Sequence, residues 1–339
     1  MLKLQICRSL RCTRILATPS ICNYNTYTTH SKSNKLLLID GTAIMYRCHF
    51  ASRKSPTLRV HDNIDISALT GYISVCHYLV KQYQPTHIIS CIDSITKNSF
   101  RKLLSPTYKQ HRIATPIELL YQLPALPLIT QSYGIDGISC DTYEGDDVIG
   151  TVCHHVKSNH LFNETIIYSP DKDMLQLVDP QHNIQLHRTG HKNLLQIYNT
   201  NDSVLHYIGV LPTQIISYLA LAGDAADGIA GVDNIGPVNA ARLLTEYHTI
   251  DNILHAAKNG EIKSKKISNS LLQAEHELPV YYQLATIKHD IHQLNNLNFE
   301  HYDCTNIDRA AAYDNAMNAI NEIEFDMPDN SFANKVMVQ

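Results

Sequence analysis

Leu36-Leu37-Leu38-Ile39-Asp40-Gly41 is a run of four apolar residues that closes on an aspartate and a glycine. A run this short, bounded this way, predicts a strand buried on both faces. Leu69, Ile73, Cys76 and Val80 then recur at helical spacing between Ser67 and Tyr83, and Pro85 stops that helix. His87-Ile88-Ile89-Ser90-Cys91-Ile92-Asp93 is a second buried strand, again closed by an aspartate. Strand, helix and strand in this order make a βαβ unit, hence a parallel sheet and an α/β fold.

Working outward, residues 134–139 predict a third strand, 165–169 a fourth, and 183–188 a weaker, edge-like fifth. The third delivers the chain to Tyr143-Glu144-Gly145-Asp146-Asp147-Val148-Ile149-Gly150. Read alone, this acidic stretch is a helix start, with Asp141 as N-cap and Glu144 as its capping-box partner. The other acids change that reading. Asp40, Asp93, Asp171 and Asp173 all fall at the carboxyl ends of predicted strands, and Glu144, Asp146 and Asp147 follow the third. Sites in open α/β sheets form beyond those ends.

Carboxylates crowded along one edge repel unless cations lie between them, and all-oxygen ligation suits Mg²⁺ or Mn²⁺ rather than zinc. Two such ions ~3.5–4 Å apart are what phosphodiester hydrolysis uses. A kinase or P-loop enzyme would need a glycine-rich phosphate loop, and the chain has none there. Between Asp93 and Glu118 no acid occurs, whereas Lys97, Arg101, Lys102, Lys109 and Arg112 do, interleaved with Phe100 and Tyr108. That pattern suits phosphates and an unstacked base. Pro106, Pro116, Pro124 and Pro127 predict short helices and turns around it.

From about residue 205 the pattern is helical. A helix beginning at Pro212 ends at Gly223, a glycine-rich stretch follows, and a second helix covers 238–247. Between them, Gly231-Val232-x-x-Ile235-Gly236 has the form of a helix–hairpin–helix turn, whose backbone N–H groups and helix N-terminus grip a phosphate.

Of the 339 residues, 44 % are hydrophobic and 18 % charged, and no run of ~18 apolar residues predicts a membrane span. The first 39 residues hold Lys3, Arg8, Arg11, Arg14, Lys32 and Lys35 and no acid. Their alternation with Leu2, Leu4, Ile6, Leu10, Ile15 and Leu16, then a Ser/Thr/Asn/Tyr-rich spacer, predicts an organellar transit peptide over residues 1–34. Mitochondrial targeting is expected, a plastid-type organelle being the alternative. The formal charge of −4 becomes −10 once those six basic residues are subtracted, so nucleic-acid binding must rest on local patches and metals. Outside the presequence, Cys48, Cys76, Cys91, Cys140, Cys153 and Cys304 show neither C-x-x-C nor zinc-ligand spacing, which predicts free buried thiols. The adjacent pair His154-His155 reads as structural.

With these stretches in order, the chain resembles the 5′-nuclease family: the exonuclease domain of bacterial DNA polymerase I, phage 5′-exonucleases and, more distantly, flap endonucleases. The resemblance runs over Leu-Ile-Asp-Gly at 38–41, Phe-Arg at 100–101 and Tyr-Lys-x-x-Arg at 108–112. It continues through Glu-x-Asp-Asp-Val-Ile-Gly at 144–150, Asp-Lys-Asp-Met-x-Gln-Leu-Val at 171–178, Gly-Asp-x-x-Asp at 223–227 and Tyr-Gln-Leu-Ala-Thr-Ile-Lys at 282–288. It implies a PIN-like, mostly parallel twisted sheet flanked by helices over 35–200, a helix–hairpin–helix (helix–three-turn–helix) module over 201–297, and an acidic helical tail over 298–339.

The resemblance also implies roles. Asp40, Asp93, Glu144 and Asp146 would hold a first Mg²⁺, and Asp147, Asp171, Asp173, Asp224 and Asp227 would complete or support a second, with Mn²⁺ able to substitute. Tyr108 would stack on a base; Lys109 and Arg112 would stabilise the scissile phosphate. Arg101 and Lys102 would contact DNA, as would Gly231, Val232, Ile235 and Gly236, whose turn would also hold K⁺. Gly145, Pro170, Gly228 and Val238-Asn239 depart from the family pattern, which predicts a looser helix start at 145 and weaker duplex binding. The expected activity is a stand-alone, monomeric, structure-dependent 5′→3′ exonuclease and flap endonuclease. It would act on DNA with 5′ ends, nicks or flaps, or on RNA–DNA hybrids, with no membrane partner and polymerase activity supplied by a separate protein. A PIN-type ribonuclease and a non-catalytic binder of branched DNA are the alternatives.

Overall fold

Lys35–Asp40 (β1) forms the strand expected of its apolar run, and four of its residues, Leu36 to Ile39, are wholly buried. The computed structural model describes residues 2–3, 34–53, 60–61, 64–94, 96, 99–190 and 194–324. The expected transit peptide, Lys97 and the end of the tail lie outside the described residues. The chain forms two compact units: residues 1–95, 115–168 and 289–339 in the first, 96–114 and 169–288 in the second. The limits of these units do not coincide with the boundaries expected at 200 and 297.

In the first unit, β1 leads into α1 (Gly41–Ser52), then α2 (Ser67–Tyr83) and β2 (His87–Cys91). Gln84 takes a left-handed conformation (φ 46°) at the end of α2 and Pro85 prevents its continuation. The third strand, β3 (Asp136–Ile138), is shorter than expected, and β4 (Glu164–Tyr168) is the fourth. These four lie in the order β3-β2-β1-β4 and every pairing is parallel, with Leu38 opposite Ile89 on one side and Ile167 on the other. Their carboxyl ends therefore share one edge.

Helix α3 (Gly145–Asn159) packs on β1 and β2 through Val148, Ile149, Val152 and Val156. The other side carries the main core: Ile44, Met45, Leu69, Tyr72, Ile73, Leu79, Leu126 and Ile129 are all buried together. The helix Arg309–Glu322 joins that core, packing on α2 and on the helix Leu126–Ser132 through Ala312, Ala316 and Ile320. This corrects the expectation of a tail. The stripe at i, i+4 and i+8 is narrow and mostly alanine, so its apolar signal is weak in sequence while its small side chains allow close approach.

In the second unit, Ile184–Thr189 pairs antiparallel with Leu195–Tyr198, a strand the sequence did not announce. Helices follow: Asn201–Ile208, Ile215–Ala222, Pro237–Tyr247, Ile250–Lys258, Lys265–Gln273 and Leu278–Ala285. Among the described residues, no single helix is long and apolar enough to cross a membrane. Cys76, Cys91, Cys140, Cys153 and Cys304 are buried and Cys48 is half-buried, and burial pushes the Cys76 thiol up to about 12.

Candidate active site

In the first unit the acids sit where parallel strands end. Asp40 closes β1 and caps α1, accepting a hydrogen bond from the Ala43 N–H at 3.2 Å. Asp93 lies two residues past β2; its own N–H donates to Thr42 Oγ1 (2.8 Å) and its Oδ1 accepts from the Gly145 N–H (2.7 Å). A Cβ on Gly145 would lie 3.1 Å from that same oxygen and 3.2 Å from the Cys91 carbonyl. The expectation of a looser helix start at Gly145 is thus replaced by a reason for glycine: the helix backbone presses onto Asp93.

That contact also moves the cap. The N-cap of α3 is Glu144, in extended conformation, not Asp141, and its N–H donates to Asp147 Oδ2 at 3.1 Å. Asp147 is 0 % exposed and its Oδ2 serves the helix start, so it supports the acidic turn from behind. Asp146 Oδ1 accepts the Asp147 N–H at 2.7 Å. Near them, burial followed by the charges of Asp290 and Asp147 raises the Tyr143 hydroxyl. His154 lies against His289, ring centroids 5.2 Å apart, and not together with His155 at one point.

In the second unit, Asp171 and Asp173 form a tight turn: Ser169 Oγ accepts the Asp171 N–H (3.0 Å), and Asp171 Oδ1 accepts the Asp173 N–H (2.9 Å). Pro170, the departure before them, offers its carbonyl to the Arg188 guanidinium at 2.9 and 3.2 Å. Asp173 Oδ1 is buried without a hydrogen-bond partner. Burial first, then the charge of Asp171, pushes the Asp173 carboxyl up to about 8.

The remaining acids carry internal cations. Lys172, whose side chain the sequence reading overlooked between the two aspartates, reaches Asp224 Oδ2 at 2.8 Å. Asp227 gathers all three residues expected to be catalytic: Arg112 NH2 at 2.5 Å from Oδ1, with the Tyr108 hydroxyl at 3.3 Å and Lys109 Nζ at 3.9 Å from Oδ2. Lys109 is itself left-handed (φ 55°), held by its N–H to the Asp227 carbonyl at 3.0 Å. Gly228 (φ 73°) belongs to the same contact, since a Cβ there would lie 2.7 Å from the Thr107 carbonyl.

Four expected contact residues are redirected inward. Tyr108 is 1 % exposed and offers no face to a base. Arg101 is 1 % exposed, with Nε donating to the Leu284 carbonyl (3.0 Å) and NH2 to that of Thr286 (2.8 Å), so it is an anchor and not a DNA contact. Val232 and Ile235 are buried, and their N–H groups donate to Leu221 and Val232 carbonyls at 2.9 and 3.0 Å. An apolar side chain in a tight turn packs under the turn, which the hairpin pattern alone does not tell. Lys102 and Gly236 are exposed, the latter capping the helix Pro237–Tyr247.

Within either unit no three His, Cys, Asp or Glu among the described residues converge as a ready-made cage. The donor set nevertheless fits a hard divalent ion: every candidate is a carboxylate, and Asp173 keeps a buried oxygen unsatisfied.

Two family descriptions match: a 5′-3′ exonuclease N-terminal resolvase-like domain over residues 35–208, and a 5′-3′ exonuclease C-terminal SAM fold over 210–310. The 5′-3′ exonuclease of Mycoplasma genitalium is 33 % identical over 76 % of this chain and 86 % of its own length. DNA polymerase I of Bacillus caldotenax is 32 % identical over 76 % of this chain, which spans only 28 % of that longer protein. In fold, the chain is similar to the T5 5′-exonuclease solved with bound zinc, at TM-score 0.62 and 18 % identity, covering 84 % of this chain and 99 % of the phage protein.

Proposed function

Because the chain belongs to the 5′-3′ exonuclease family, we propose that it is a structure-dependent 5′→3′ exonuclease and flap endonuclease hydrolysing phosphodiester bonds of DNA. The observation that carries the reading is the buried, unsatisfied oxygen of Asp173 beside Asp171, in a chain that also ends one parallel strand on Asp40 and places Asp93 two residues past the next.

Asp40, Asp93, Glu144 and Asp146 would hold one Mg²⁺ and Asp171 with Asp173 the other, Mn²⁺ substituting. Bound there, the ions supply a polarised attacking water and a counter-charge for the leaving oxygen. The chain's own part is electrostatic and positional. Asp227 presents Lys109 and the exposed Arg112 as a pair of positive charges that a phosphate can claim from it. Lys172 neutralises Asp224, so Asp171 and Asp173 remain for metal. Lys102 and the helix start at Gly236 offer further phosphate contacts, and the turn 231–236 is the place for K⁺.

Residues 1–34 direct the protein to the mitochondrion, with a plastid-type organelle as the alternative, where it processes flaps or RNA primers left by a separate polymerase and works as a monomer. The test uses purified protein with 5′-flap and nicked duplex substrates. Cleavage is expected in Mg²⁺ and not in EDTA, and Asp171→Asn/Asp173→Asn is expected to be inactive. Undiminished cleavage by that variant sinks the reading. A reporter fused to residues 1–34 that stays cytosolic sinks the localisation.

A further inference from the structure

Asp171 and Asp173 follow Pro170, and a proline there leaves the turn little freedom. Its ring fixes φ and removes the N–H, so ψ of Pro170 is the one soft torsion left to aim the peptide that joins it to Asp171. That peptide is held at both ends. Its carbonyl accepts from Arg188 Nε at 3.2 Å and from Arg188 NH2 at 2.9 Å, and its N–H donates to Ser169 Oγ at 3.0 Å. A planar unit gripped through both groups cannot flip without losing all three hydrogen bonds.

The restraint passes down the turn. Asp171 Oδ1 accepts the Asp173 N–H at 2.9 Å, so the first acid sets the backbone of the second. Asp173 Oδ1 is buried and no hydrogen bond holds it, so its place is decided by that backbone. Arg188 is itself held. It lies on the strand Ile184–Thr189, opposite Gln196, and its NH1 donates to the Tyr207 hydroxyl at 2.7 Å. Its guanidinium stands 5.5 Å from the Tyr207 ring centroid, and Tyr207 packs on Tyr198 with centroids 5.0 Å apart. These hydrogen bonds go to a carbonyl and a phenol, not to a carboxylate. Arg188 can therefore orient the acids without taking their charge, in contrast to Lys172 on Asp224.

The geometry points to Arg188 as a positioning residue for Asp171 and Asp173, the two acids proposed for the second ion. It fixes the peptide ahead of them through the Pro170 carbonyl, and Tyr207 fixes Arg188. The inference rests on the nuclease reading and adds to it a residue that acts on the metal site through the backbone.

Arg188→Met keeps an apolar stem and loses the donors; Tyr207→Phe removes only the hydroxyl behind them. Each is read first without metal or DNA. In EDTA, hydrogen exchange over residues 169–178 is expected to speed up in Arg188→Met and, less so, in Tyr207→Phe, while the helix Pro237–Tyr247 exchanges as in wild type. Mn²⁺ binding, followed by the paramagnetic resonance of the free ion, is expected to weaken about tenfold in Arg188→Met, the low end of what removing an outer partner costs a metal site. On a 5′-flap substrate the Mg²⁺ concentration for half-maximal rate should rise by the same factor, with kcat at saturating Mg²⁺ within about twofold of wild type. Unchanged exchange, or faster exchange with unchanged Mn²⁺ affinity, overturns the positioning role, as does a loss of kcat that excess Mg²⁺ does not restore. A protein whose Mn²⁺ binding weakens as expected in Arg188→Met, but which in wild-type form cuts no flap, overturns the nuclease reading and leaves the positioning role standing.

Discussion

Asp173 is a carboxyl whose folded environment opposes its charge, first by burial and then through Asp171, so that it titrates at about 8. In an unfolded chain it would titrate near ~3.9. A raised value means that its contribution to stability is full below the unfolded value and is lost as pH rises through the folded one. In EDTA, this group makes the protein progressively less stable between about pH 4 and pH 8. Asp173→Asn is expected to melt higher than wild type in EDTA at about pH 8, with the difference shrinking toward about pH 4. A melting curve for the variant that tracks wild type across that range would contradict the account. Mg²⁺ binding below about pH 8 should also release a proton, readable by calorimetry in two buffers of different ionisation enthalpy.

At the scale of elements, the turn between Ile215–Ala222 and Pro237–Tyr247 offers two glycines with opposite expectations. Gly231 is left-handed (φ 72°), and a Cβ on it would fall 2.4 Å from the Gly223 nitrogen, so Gly231→Ala is expected to cost about 2–3 kcal/mol and lower the melting temperature. Gly236 has nothing within 4 Å, so Gly236→Ala should fold normally and lose several-fold in duplex affinity where a phosphate must approach its backbone. Denaturant melts with Ca²⁺ binding assays separate the two. The helix Arg309–Glu322 gives a further case: with Ile320 wholly buried against the core, Ile320→Ala is expected to cost about 2–5 kcal/mol, a loss that a solvated tail would not show. How legible an element was depended on how continuous its burial is. Leu36 to Ile39 are covered on both faces and read at once as a strand; Leu195 and Ile197 stay exposed and their strand passed unnoticed. The cap of α3 slipped three residues, from Asp141 to Glu144, because Asp93 fixes where the helix backbone begins, and no local pattern carries that information.

For the molecule as a whole, the place of Asp40 at a strand end was legible in the sequence, whereas the surroundings of the cations were only half legible. Arg101 and Lys102 are adjacent in sequence, yet one is buried on carbonyls and the other faces water. Which of two neighbours turns inward is decided by segments more than 180 residues away, at Leu284 and Thr286. With a formal charge of −4 over the full chain, any attraction to DNA must come from a few such outward cations. Lys102→Ala is therefore expected to reduce the slope of log affinity against log salt by about 0.9, one phosphate's share.

The first unit encloses the second in the chain: it opens with β1, is interrupted twice, and is completed only by residues 289–324. Its core holds Leu37 and Ile39 together with Ala316 and Ile320, nearly three hundred positions later. A ribosome making this chain, or a membrane pore admitting it from the amino end, would deliver β1 first and the Ala316 and Ile320 of the same core only much later. Until then the strand has no finished interior to enter, so the unit housing Asp40, Asp93 and Asp146 cannot be assembled piecemeal during delivery. Its folding clock starts when Ile320 arrives.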